Sequence, residues 1–133
     1  LGGSEMCIRD RSEETGGPWW PAGSQWSDFS RTERVSGISA AELQAEEPER
    51  LATRWAQIAQ LDLYSDAAGN PTIDFDNASI RFVEASDGRG DGLGGIDVVC
   101  VDRDAVLAGA DQRGCVVNEE QVVLGGLRVY LRD

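Results

Sequence analysis

Two arginines stand in matching surroundings, Arg81 within SIRFV (Ser79–Val83) and Arg128 within GLRVY (Gly126–Tyr130). Alternation along a strand puts each arginine on one face and its apolar neighbours, Ile80 and Phe82 or Leu127 and Val129, on the other. Two guanidinium groups converging from related strands would form a local site for a carboxylate or phosphate, since their planar forks pair with such anions. Tyr130 would stand beside them. The alternative is that both pair with nearby acids, Glu42 foremost, which leaves the site electrically balanced. Glu42 could serve as a general base if desolvated, but a lone glutamate is more often a structural partner.

The residues that are missing narrow the chemistry further. The 133-residue chain holds no histidine and no lysine, so all 12 of its cationic side chains are arginines. Serine–histidine and cysteine–histidine triads are excluded within it, as are histidine-containing zinc sites, Schiff-base lysines and the phosphate-binding lysine of a P-loop. Any proton-transferring side chain must be Asp, Glu, Tyr or Cys. The formal charge of −12 argues against nucleic acid and against an anionic membrane surface as partners. No apolar run approaches the ~20 residues that span a bilayer. Three cysteines (Cys7, Cys100, Cys115), without metal spacing, fit a reducing cytoplasm and no disulfide framework.

The elements that must position these residues are written twice. Gly37–Ala45 alternates as a strand, with Ala41, Leu43 and Ala45 on one face and Ala40, Glu42 and Gln44 on the other. An acidic turn follows, then a helix from Pro48 whose stripe is Leu51, Ala52, Trp55, Ile58 and Ala59. That spacing makes Trp55 a core residue rather than a cofactor contact. DAAGNP (Asp66–Pro71) signals a hairpin turn before strands at Thr72–Phe75 and Ser79–Glu84. The second copy runs from a strand at Ile96–Val101 through an N-cap at Asp102 to a helix with Val106, Leu107 and Ala110 inward. Gly114 closes the helix, and short strands follow at Cys115–Val117, Gln121–Leu124 and Leu127–Leu131. A repeated β-α-β-β-β unit restricts the fold, because each copy exposes an apolar face that its twin helps to cover.

The segments EPERLATRW, IRFVEASDGRGDGLGGIDVVCVDRDAVLAGADQRG and GLRVYL resemble the vicinal oxygen chelate superfamily, in a bacterial glyoxalase-like or bleomycin-resistance-like branch. The resemblance covers about Gly37–Asp133. It implies an α+β fold in which two βαβββ units form a curved mixed sheet around a cleft, with the helices outside. Metal-binding members carry His or Gln on the first strand of each unit and Glu on the last. The corresponding positions here are read as Ala40, Val98, Arg81 and Arg128, which cannot hold a divalent cation. Cys100, Glu42 and Gln44 are donors in principle, at a spacing that matches no standard site. The expectation is a metal-free, cofactor-free domain that binds a small molecule, with an anion as one candidate, between its units. The alternatives are a lyase or isomerase whose catalytic or metal-binding residues lie partly in a missing N-terminal portion, and a domain that only supports a partner or a homodimer.

Three further stretches complete the reading. Residues 1–11 fit nothing that follows, and MCIRDR resembles a translated sequencing adapter, so Gly3–Arg11 is read as non-native. Residues 12–35 form a loop-rich segment carrying Trp19, Trp20 and Trp26, a remnant of a truncated N-terminal portion. The tryptophans would cover an apolar surface or wall a pocket. The remainder, 36–133, is the glyoxalase-like domain, with units 36–86 and 92–133. DGRGDGLGG (Asp87–Gly95) matches a dinucleotide fingerprint only superficially, since a strand rather than a helix follows it. It reads as a flexible crossover between the units.

Overall fold

The computed structural model describes residues 25–133, with the side chain of Trp26 outside the description. The adapter-like segment, Trp19 and Trp20 therefore lie outside the described residues. The chain divides between Arg31 and Thr32. Before that point the described part is a short 3-10 turn, Trp26–Phe29.

From Thr32 onward the order is β1 (Val35–Ala45), α1 (Pro48–Ala59), β2 (Tyr64–Ser65), β3 (Pro71–Asp74), β4 (Ser79–Glu84), β5 (Gly92–Cys100), α2 (Arg103–Asp111), β6 (Val116–Asn118), β7 (Gln121–Leu124) and β8 (Leu127–Arg132). This is β-α-β-β-β twice. All eight strands join one mixed sheet in the order β2-β3-β4-β1-β5-β8-β7-β6. In each half the first strand lies parallel to the last, and β1 and β5 meet antiparallel at the centre.

Local chemistry explains the boundaries. Pro48 opens α1, where its missing N–H costs nothing, and Glu49 complements the helix dipole. The Asp102 carboxylate caps α2 by accepting from the Ala105 N–H at 3.0 Å. Past its end, Gly114 takes the left-handed φ of 64°. In the β2–β3 turn the Asp66 carboxylate accepts from the backbone N–H groups of Ala68 and Asn70.

Both helices cover the same face of the sheet. Ala52 of α1 packs onto Ile73 and Phe82, with Leu43, Leu51, Ala56 and Ile80 around them. Under α2 lie Val98, Ala110, Val122, Val129 and Leu131, joined by Ile96, Val106 and Leu107. The arginines' neighbours Ile80, Phe82, Leu127 and Val129 thus point to the helices, as alternation requires.

Three expectations change. Ile58 is 70% exposed, because α1 buries the row Ala52–Ala56 and turns Ile58 outward. Trp55 is 38% exposed and lies outside the buried cluster, set edge-on to Phe82 with ring centroids 6.0 Å apart. The last four residues of DGRGDGLGG are not linker but the start of β5, where Gly92, Leu93 and Gly95 pair with β1.

Candidate functional site on the open face

The sheet face turned away from the helices carries a polar centre. Along β1, alternation sends Ala40, Glu42 and Gln44 to this face, and all three are buried. Across the β1/β5 junction Ala40 pairs with Asp97 and Glu42 with Gly95. Arg81 lies beside Glu42 on β4, Arg128 beside Gly95 on β8, and Tyr130 beside Asp97. Three strands, β1, β4 and β8, therefore bring Glu42, Arg81, Arg128 and Tyr130, the residues singled out in the sequence, to one place around β5.

Glu42 is the hub. Its Oε2 accepts from Arg81 Nε at 2.9 Å, and its Oε1 accepts from Arg128 Nε at 2.8 Å and from the Tyr130 hydroxyl at 3.2 Å. Each arginine then reaches a second partner. Arg81 Nη2 sits 2.7 Å from Asp97 Oδ1, an ion pair off hydrogen-bond alignment. Arg128 Nη2 donates to Gln44 Oε1 at 2.8 Å. The web extends outward through Arg132 Nε on Asp97 Oδ2 at 2.7 Å and Arg128 Nη1 on Asp87 Oδ2 at 3.1 Å. Arg89 donates to Asp87 from its side chain and from its backbone N–H. The guanidinium carbons of Arg81 and Arg132 lie 4.7 and 5.4 Å from the centroid of the Tyr130 ring, within cation–π range.

Electrostatics follow from this packing. Burial works to lower the Arg81 and Arg128 pKa values, but the neighbouring carboxylates outweigh it, and both are raised. The Tyr130 phenol is pushed up, first by burial and then by the Glu42 charge. Hydrogen bonds from Arg89 and Gln44 hold the Asp87 carboxyl well below the usual carboxylate range.

Two glycines make the web possible. Between the Glu42–Gly95 and Leu43–Leu93 pairs the register shifts, so Gly94 is an extra residue in β5. A Cβ on Gly94 would collide with the Arg128 guanidinium and stand 2.8 Å from Gln44 Oε1. One on Gly95 would stand 2.8 Å from the Arg128 carbonyl oxygen and 3.1 Å from Glu42 Oε1. Here glycine is required by space, not by φ.

Several expectations are corrected on this face. Val98, read as a ligand-equivalent position, sits in the helix-side core; Asp97 is the β5 residue beside the arginines. Cys100 packs against that same core, which removes it as a companion of Glu42. Gln44 is a hydrogen-bond partner of Arg128, and Asp87, Asp97 and Arg132 were not singled out at all. Alternation in Ile96-Asp97-Val98 carried the signal for Asp97, since the two apolar residues point together.

The resemblance implies a divalent metal in many members, and the donors present do not fit one. Both Glu42 oxygens already accept from cationic or phenolic donors, and Arg81 and Arg128 would repel a cation. Among the described residues no three Cys, Asp or Glu side chains come together as a metal group. Open depressions of about 450 Å³ lie apart from this web, at the β1–α1 corner. These are lined mainly by charged side chains such as Glu46, Glu47 and Arg50. No helix among the described residues is long and apolar enough to cross a membrane.

No family model matches the sequence, and no curated protein matches it. The fold does match solved structures. Methylmalonyl-CoA epimerase from Mycobacterium tuberculosis aligns with a TM-score of 0.55 at 12% identity, over 78% of this chain and 93% of that one. A hypothetical protein, BH1468 from Bacillus halodurans C-125, aligns with a TM-score of 0.52 at 12% identity, over 73% of this chain and 94% of that one. Both have the vicinal oxygen chelate type of fold. The α+β fold of this chain is thus of the glyoxalase-like, vicinal oxygen chelate type.

Proposed function

We propose that this domain binds a small anionic molecule on the open face of its sheet and does so without a resident metal. One observation carries the reading. Within the web four guanidinium groups, Arg81, Arg89, Arg128 and Arg132, meet three carboxylates, Glu42, Asp87 and Asp97. One positive charge is left over on a chain whose formal charge is −12. A local cationic excess in so acidic a protein attracts an anion and rejects a cation. Glu42 then acts as the fixed counter-charge that holds Arg81 and Arg128 in place rather than as a general base, since both its oxygens are engaged. Tyr130 supplies an aromatic wall beside them.

The test is a titration of the full chain with acetate, methylphosphonate and ethylamine at constant ionic strength, read by NMR shifts of the Arg128 and Tyr130 signals. The anions should bind more tightly than the amine by at least ~1 kcal/mol. Equal or tighter amine binding would overturn the reading. Elemental analysis of protein purified without chelators should find no stoichiometric divalent ion, and one tightly held ion per chain would refute the metal-free half of the proposal.

A further inference from the structure

Arg81 and Arg128 hold equivalent places, yet their second partners differ in charge. Arg81 reaches a carboxylate fixed on a paired strand, Asp97 of β5. Arg128 reaches only the neutral amide of Gln44, and its second carboxylate, Asp87, comes from the connection between β4 and β5. That connection is tied at its ends, Ala85 N–H to the Ala45 carbonyl and Asp91 Oδ1 to the Glu46 N–H. Between the ties Gly88 and Gly90 take left-handed φ values of 77° and 73°.

The Asp87 carboxylate is held as a bound ligand would be. Its Oδ1 accepts from Gln44 Nε2 at 2.7 Å and from the Arg89 N–H at 3.0 Å. Its Oδ2 accepts from Arg89 Nε at 2.8 Å, Arg89 Nη2 at 2.6 Å and Arg128 Nη1 at 3.1 Å. Five donors converge on one carboxylate whose side chain is 25% exposed. Guanidinium and amide N–H donors of this kind are the ones that pair with a small carboxylate.

We propose that Asp87 is the internal occupant of a carboxylate site, built from Gln44 Nε2, Arg128 Nη1 and the Arg89 side chain and N–H, which small monocarboxylates take by displacing it. This rests on the reading of the open face as an anion site and names the ligand class and its competitor. Gln44 stays anchored through Nε2 to the Gly90 carbonyl at 2.9 Å and through Oε1 to Arg128, and Arg128 stays anchored to Glu42, so these two donors keep their positions when Asp87 leaves. With its carboxyl held well below the usual range, Asp87 stays charged and competes at every mildly acidic or neutral pH.

The experiment titrates the full chain and its Asp87→Ala and Asp87→Asn variants with sodium acetate against sodium chloride at equal ionic strength. Removing the competitor raises apparent affinity by the inverse of the fraction of molecules whose site is open. The expected gain is about tenfold or more in both variants. In the unmodified chain, acetate should also speed hydrogen exchange at the Arg89 N–H as Asp87 lets go. Tighter acetate binding by both variants than by the unmodified chain, together with faster Arg89 exchange in the acetate-bound unmodified chain, supports the displacement. Equal acetate affinity with and without Asp87, or unchanged Arg89 exchange under saturating acetate, overturns it while leaving anion binding on the open face intact. Preference for ethylamine overturns the underlying reading instead.

Discussion

The two arginines at the centre of the sheet are related by the internal repeat, and their surroundings differ in one atom type that matters. Glu42 lies beside Arg81 as Gly95 lies beside Arg128, and Glu42 and Gly95 face each other across the β1/β5 junction. The local twofold relation therefore passes through that pair, where one strand supplies a carboxylate and the other no side chain. A single glutamate serves both arginines because its counterpart leaves room for it. Two residues further along each strand, Gln44 and Asp97 hold equivalent places and bind equivalent Nη2 atoms, one as an amide and the other as a carboxylate. The geometry repeats between the two places and the charge does not. The half with the amide is the half that recruits a loop carboxylate.

The hub should show the largest effect. Glu42→Ala strands two guanidinium groups in a poorly hydrated place, and breaking a buried pair in this way costs ~3–5 kcal/mol. Urea denaturation should show that loss, with Glu42→Gln less damaging because it keeps an acceptor. A loss below ~1 kcal/mol for Glu42→Ala would mean that the two arginines hold their places without a shared counter-charge.

The next test sets the halves against each other. Asp97→Asn removes a charge-assisted partner from Arg81 and Arg132, at ~1.5–3 kcal/mol. Gln44→Leu removes a neutral amide that accepts from Arg128 and donates to Asp87 and the Gly90 carbonyl; water reaches the part-exposed connection that holds the last two, and Arg128 keeps Glu42 and Asp87, so the cost should stay near ~1 kcal/mol. Equal costs would show that the charge difference between the halves has no energetic consequence.

Much of the scaffold was legible because it is written locally. Pro48 at the first position of α1, the Asp102 cap of α2, the DAAGNP turn and the alternation at Ser79–Glu84 each specify an element from neighbouring residues. The face of Arg81 and Arg128 was legible for the same reason. The web was not, because register across paired strands is a non-local property and a shift of one residue reverses every side chain. Choosing Val98 over Asp97 was such a one-residue error. The Gly94 bulge hid behind the look of a linker, since adjacent glycines mark a turn as often as a close approach of side chains. Arg132 shares the face of Arg128 and Tyr130 by alternation along β8, whereas Asp87 joins the web only from the connection between β4 and β5. No spacing rule reaches that far.

The smallest expected effect concerns Tyr130, whose counterpart in the first half is the apolar Val83. Its hydroxyl donates to Glu42 at 3.2 Å, and burial followed by the Glu42 charge raises its pKa above the ordinary tyrosine value. The folded state therefore favours the protonated phenol. Its contribution is fully present below the unfolded value near ~10 and is lost as pH rises through the higher folded value. At neutral pH, Tyr130→Phe should lower stability by about 0.5–1 kcal/mol, the worth of one partly exposed hydrogen bond. Above about pH 10 the unmodified chain loses stability as its unfolded phenol ionises, whereas the phenylalanine variant has no such group at this position. Tyr64 is present in both proteins, so its own titration cancels in the difference. Melting temperatures taken from pH 8 to 11 should converge with rising pH. Parallel curves would show that Glu42 does not hold the phenol protonated, and that Tyr130 is only a wall beside the arginines.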